Sequence, residues 1–182
     1  MLGLVFTEFI EMVEDRFSPA LAEAVIEDAA PAHGGAYTAV GYYGHDEMVA
    51  LVSALSRRTG LAVPDLVQAF GHHLAQRFVA GHAAMFTRHS DLFSLAAAID
   101  SEIHVEVRKL YDKATLPRFS VLSRDDRRMA LLYESPRGME HLALGLLEGV
   151  AEHYGERCRI AMAPWAQGER RGVLFELERS GG

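Results

Sequence analysis

Cysteine is almost absent from this chain of 182 residues: Cys158 stands alone. No intramolecular disulfide can form, and a cysteine-cluster zinc site is excluded. A reducing compartment is the expected setting. Basic residues are also short, 18 Lys and Arg against 25 Asp and Glu, and the formal net charge is -7. With no basic block anywhere, neither nucleic acid nor an anionic membrane surface is expected as a main partner. No apolar run is long enough to span a bilayer. Met1 to Glu11 lacks a basic leading region and is interrupted by Glu8 and Glu11, so no signal peptide is expected and the cytoplasm is the expected location. Repeats, low-complexity tracts, a Gly-rich phosphate loop and a serine nucleophile elbow are all missing. Nine histidines are present, but no His-x-x-x-His accompanied by a carboxylate. His72 and His73 are adjacent and point apart on a helix. His82, His89 and His153 have the same plain reading, as solvent-facing or core-edge residues.

Hydrophobic residues make up 49% of the chain, enough for one domain with a packed core. Helical spacing of apolar residues runs from 3 to 17, then from the Ser18-Pro19 start signal to Ala29. A Gly- and Tyr-containing loop covers 30 to 44. Further helices are expected over Asp46–Arg58 with Gly60 as a stop, and from Pro64 to about Ala80. The longest helical pattern is Asp91–Tyr111, with Leu92, Leu95, Ile99, Ile103 and Leu110 near one line. After Pro117 the pattern changes. Residues 118–122 and 129–133 read as strands joined by a charged turn, Met139–Tyr154 as a helix, and 158–163 with 172–177 as a hairpin around 164–171. The expected class is α+β, a single domain over 1–182 with an N-terminal helical part to about 60 and a sheet-bearing part from about 61.

His104 lies on the flank of the long helical stripe, roughly 100° from its centre on a regular helical wheel. Taken alone, a histidine there is ordinarily a core-edge residue making one hydrogen bond. Tyr133, Ser135 and Arg137 are more telling. On an extended segment a spacing of two sets all three on one face. Two hydroxyls and one guanidinium fork aimed the same way suit a pair of carboxylates, such as haem propionates. The plain alternative is a polar strand end facing water. A haem with one open iron face needs only one protein ligand.

In this order, His104, Pro117-Arg118 and Tyr133-x-Ser135-x-Arg137, together with Met1-x-Gly3, Gly71, Phe78, Ile99-Asp100, Lys109, Ala114-Thr115 and Gly145-Leu146-Leu147-Glu148-Gly149, make the chain resemble the bacterial haem nitric oxide/oxygen binding (H-NOX) domains, relatives of the haem domain of soluble guanylate cyclase. The resemblance spans essentially the whole chain. It implies about seven helices and a four-stranded antiparallel sheet, with haem b (iron protoporphyrin IX) buried between the N-terminal helical part and the sheet-bearing part. It implies His104 as the iron ligand, and Tyr133, Ser135 and Arg137 at the propionates. It also implies that Pro117, with Val5, packs against and distorts the porphyrin. The function implied is gas sensing rather than catalysis.

Oxygen-binding relatives carry a distal tyrosine where Leu142 stands here. Val5, Phe9, Leu74, Phe78 and Leu146 are its expected neighbours, all apolar. Bound oxygen gains most from a distal donor and nitric oxide needs none, so NO and CO are the expected ligands. Tyr42, Tyr43 and His141 are the side chains that would change this by reaching the sixth position. NO is expected to weaken or break the His104–iron bond, leaving five-coordinate nitrosyl haem, and the resulting shift to regulate a separate protein such as a histidine kinase or a cyclic-di-GMP enzyme. A monomer is expected. The alternatives are an oxygen sensor or carrier of the same fold and a cofactor-free interaction module. Arginines flanking Cys158 would lower its pKa if close, but nothing there requires a reactive thiol.

Overall fold

The computed structural model describes residues 1–180. They form two compact units, residues 1–70 and the described residues from 71 on. The division falls inside a helix, later than the value near 60 expected from the sequence. The cause is Phe70, which packs edge-on against Phe9 at 5.2 Å between ring centroids and belongs to the first core.

The first unit holds α1 (Gly3–Arg16), α2 (Pro19–Ala29), α3 (His45–Thr59) and the start of α4 (Val63–Gly81). Ser18 caps α2 by accepting a hydrogen bond from the Leu21 N–H at 3.1 Å, with Pro19 in the first turn. Asp46 and Glu47 open α3, Arg57 and Arg58 close it, and Gly60 (φ 74°) ends it in the left-handed conformation. Phe6, Phe9, Met12, Leu51 and Leu55 are essentially inaccessible and form its core. The 30–44 loop is tied back to α1, with the Gly3 N–H bonded to the Gly41 carbonyl at 2.7 Å. Within the loop, the Tyr43 hydroxyl accepts the Thr38 N–H at 2.9 Å.

The second unit contains the rest of α4, α5 (Ala83–Phe86), α6 (Leu92–Ala98), a π-helical turn (Ile99–Ile103), α7 (His104–Leu110), α8 (Glu140–His153) and four strands. The strands are β1 (Arg118–Arg124), β2 (Arg128–Glu134), β3 (Cys158–Gln167) and β4 (Arg170–Arg179), all antiparallel in the order β1-β2-β4-β3. With Leu92–Leu110 counted as one interrupted helix, the described residues contain the seven helices and four-stranded sheet anticipated above. Phe93, Leu95, Leu131, Tyr133, Leu147 and Phe175 lie in the core between α6, α8 and the sheet.

Two details differ from the sequence reading. The second hairpin runs on through Pro164, which lies on edge strand β3 and pairs with Val173 of β4. An edge strand tolerates a missing N–H on its open side, so the turn shrinks to Gly168 (φ 60°) and Glu169. The expected long helix over 91–111 is instead broken by the π-turn.

The start of α6 is held firmly. Asp91 and Ser94 form a reciprocal capping box, and the Leu92 N–H donates to Glu156 at 2.8 Å. Arg179 pairs with Glu156 at 2.9 Å and with Asp91 at 3.2 Å, and stacks 4.0 Å over Phe93. Burial pushes the Asp91 carboxyl up, but the Ser94 backbone and hydroxyl bonds and the Arg179 charge outweigh it and hold it below the usual range. A depressed carboxylate contributes stability above its ordinary pKa and loses it as pH falls through the depressed value. Arg179→Ala strands two partly buried carboxylates and is expected to cost about 2 kcal/mol, a Tm drop of about 4–8 °C, checked by calorimetry.

Candidate functional site

The π-turn decides where His104 points. A π-helix closes i→i+5 bonds and so carries one residue more than an α-helical turn; each residue after it is set back by about 100°. That is the angle by which a regular wheel leaves His104 off the apolar stripe. The observed burial follows the corrected phase: His104 is 9% exposed, while Leu110, on the stripe of the regular wheel, is 72% exposed. The histidine has taken the inward position and the leucine has lost it.

His104 is the first residue of α7. Its Nδ1 lies 2.8 Å from Asp100 Oδ1. The carboxylate can only accept, so Nδ1 carries the proton and Nε2 keeps its lone pair. Burial pushes the imidazole pKa down, with Asp100 pulling partly the other way, and the neutral form is the one that binds a metal. The ring lies 5.9 Å from Phe119, which in turn lies 5.3 Å from Tyr133. Phe119 and Tyr133 are cross-strand partners on β1 and β2. Neither Asp100 nor Phe119 was singled out from the sequence as a site residue. Asp100 was legible as an i, i+4 neighbour of His104; Phe119 required the strand register.

Tyr133, Ser135 and Arg137 are brought together, though not by strand alternation as expected. β2 ends at Glu134, and Ser135 and Arg137 lie in the turn that follows. Pro136 ends the strand because it has no N–H for the ladder. The Ser135 hydroxyl accepts the Arg137 N–H at 3.2 Å, closing the turn. Tyr133 is 3% exposed; burial pushes its phenol up, while a hydrogen bond with Ser135 pulls it down. Arg137 Nη1 donates to the Thr115 carbonyl at 3.0 Å. That bond ties the turn to the segment carrying Pro117, a half-buried residue just before β1. One imidazole with a single free nitrogen, and across Phe119 from it the Tyr133 turn with two hydroxyls and a guanidinium, is a donor set that fits an iron porphyrin bearing two carboxylates.

The residues assigned to the distal side divide between the units. In the first, Phe9 is fully buried and Val5 half-buried. In the second, Leu74 is buried, and Phe78, Leu142 and Leu146 are half-buried. Leu142 and Leu146 are held beside α4 by a backbone-to-backbone approach. A Cβ on Gly71 would lie 2.9 Å from Leu146 N and 3.0 Å from Gly145 Cα, and closer still to the Leu142 carbonyl. Gly149 sits equally tightly against Ala75. His141 keeps a buried Nδ1 with no hydrogen-bond partner.

Elsewhere, His72 Nε2 pairs with Glu152 at 2.7 Å and His89 approaches Glu102 at 3.7 Å. Among the described residues no three His, Cys, Asp or Glu side chains gather to hold a metal. None of the helices there is long and apolar enough to cross a membrane. Cys158 is half-buried, and burial, with Glu156, pushes its thiol up despite Arg179. The charges of the flanking Arg157 and Arg159, which the sequence allowed to lower it if close, are not among those acting on the thiol.

Comparison with known proteins agrees with this geometry. Residues 2–162 match the Haem-NO-binding family. No curated protein matches the sequence. Among solved structures, the unliganded Fe(II) H-NOX protein from K. algicida is 30% identical, with a TM-score of 0.92 over 100% of this chain and 98% of that one. The H-NOX protein from Shewanella woodyi in the Fe(II)CO state is 37% identical, with a TM-score of 0.84 over 99% and 95% of the two chains. The S. oneidensis H-NOX protein in the Fe(II)NO state is 26% identical, with a TM-score of 0.89 over 100% of both chains. A match over residues 2–162 and a shared fold along the full length leave one conclusion: this chain belongs to the Haem-NO-binding, or H-NOX, family of haem-based gas-sensor domains.

Proposed function

We propose that this chain is a nitric oxide sensor whose haem b iron is held by His104. The observation that carries the reading is His104 itself, turned inward by the π-turn, with Nδ1 committed to Asp100 and Nε2 left for a metal. When bound, ferrous haem supplies one open iron face that takes a diatomic gas. Arg137, Tyr133 and Ser135 would hold the two propionates, and Pro117 and Val5 would each pack against a bound porphyrin. The distal residues Phe9, Leu74, Phe78, Leu142 and Leu146 offer no hydrogen-bond donor, which supports NO and CO over O2 as ligands. The NO- and CO-ligated forms of the Shewanella proteins support the same ligands here.

His104 transmits the event. α6 is anchored through Arg179, Glu156 and the Asp91–Ser94 box, so release of His104 moves α7 and the π-turn rather than α6. The displaced segment biases a two-state change that a separate protein reads, a histidine kinase or a cyclic-di-GMP enzyme. The sensor acts as a monomer in the cytoplasm.

The test is an absorption spectrum of the reduced protein under argon, then air, then NO. A haem band that air leaves in place and NO moves is expected; a stable oxygen complex in air overturns the choice of gas. One observation favours that second reading: the unbonded, buried His141 Nδ1 next to Leu142. Were His141 a distal donor, His141→Leu would abolish the oxygen complex. Arg137→Ala removes the only guanidinium of the triplet, worth about 1.5–3 kcal/mol as a charged hydrogen-bond donor, and is expected to weaken haem retention about 10–100-fold in a transfer assay to apomyoglobin.

A further inference from the structure

We infer that Asp100 is the positioning residue that sets how firmly His104 holds its metal, an inference that rests on His104 being the iron ligand. Asp100 and His104 stand four residues apart and bracket the π-turn, Asp100 near its start and His104 just past its end. The 2.8 Å bond from Nδ1 to Oδ1 closes across that wide turn. The two side chains differ in exposure, 11% for His104 and 35% for Asp100. The carboxylate therefore reaches from the edge of solvent to a largely buried ring.

Three consequences follow from the chemistry of the bond. An ionised acceptor fixes the proton on Nδ1 and so leaves the Nε2 lone pair for the metal. Its negative charge makes Nε2 a stronger donor, as carboxylate partners do for metal-bound histidines generally. It also fixes the ring plane at the one point where the helix has no regular i→i−4 ladder to do so. Asp100 would thus set how firmly His104 holds a bound iron, acting through the imidazole ring.

The experiment is resonance Raman spectroscopy of the ferrous, gas-free holoprotein, followed by stopped-flow mixing with NO, for the wild type, Asp100→Asn, Asp100→Glu and His104→Gly. Asp100→Asn keeps the shape and a neutral acceptor. It is expected to lower the iron–histidine stretching frequency and to speed loss of that band after NO addition about 10–100-fold. Asp100→Glu keeps the charge and a reach to Nδ1, and should recover most of the wild-type frequency. A residue needed only for folding would lower Tm without moving the band. An iron–histidine band that vanishes in His104→Gly but is identical in the wild type and Asp100→Asn overturns this inference alone. A band that survives in His104→Gly, or is missing from the wild type, overturns the ligand assignment itself.

Discussion

Replacing His104 with Gly should remove the iron–histidine band completely from the imidazole-free holoprotein, and free imidazole should fill the gap. In the proposed scheme this variant also reproduces the gas-released state. Backbone amide shifts of the imidazole-loaded variant are then expected to match those of the NO-treated wild type across Ile99–Leu110, and to match the untreated wild type across Leu92–Ala98. The contrast follows from the anchoring of α6 by the Asp91–Ser94 box and the Arg179 pairs, set against α7, which begins at His104 itself. Heteronuclear NMR checks it. If the variant's amides in Ile99–Leu110 stay where the untreated wild type has them, His104 does not transmit the signal, whatever it ligates.

Gly71→Ala is expected to have the next largest effect, although it touches no chemistry. The added methyl would meet the Leu142 carbonyl, the Leu146 nitrogen and the Gly145 Cα. All three are backbone atoms of α8, so no side chain can swing away and the helices must separate. Overpacking of this kind costs about 1–3 kcal/mol, which in a chain of this size lowers Tm by roughly 2–12 °C. The same displacement carries Leu142 and Leu146 with it, so CO rebinding kinetics should change alongside Tm. Thermal unfolding by circular dichroism measures the first and flash photolysis the second. Unchanged values of both would show that the α4–α8 approach has slack that its spacing does not reveal.

The grouping of three candidate residues was legible in the sequence. Tyr133, Ser135 and Arg137 do come together, and Arg137 reaches the segment bearing Pro117. Their grouping was anticipated, but its cause was not. Alternation along a strand suggested one face, whereas Pro136 ends the strand and a hydroxyl-closed turn gathers the last two residues. His104 was harder. A regular wheel left it on a flank among nine histidines, because periodicity assumes one rotation per residue and a π-turn breaks that assumption without a mark in composition. Phe119 was invisible for a different reason: its place between His104 and Tyr133 depends on pairing β1 with β2, a contact between segments that no local pattern encodes.

What the sequence determined by itself is therefore whatever depends on residue type and near-neighbour spacing. The α+β class, the caps at Ser18 and Gly60, the two hairpins, the lack of any disulfide and the order of the family's signature residues all belong there, since each is set by side-chain chemistry within a few residues. The tertiary structure alone decided the inward turn of His104, the pairing that seats Phe119 and the backbone contact at Gly71. Those are set by how helices and strands pack, where one inserted residue shifts a side chain by about 100° and a missing Cβ lets two helix backbones meet.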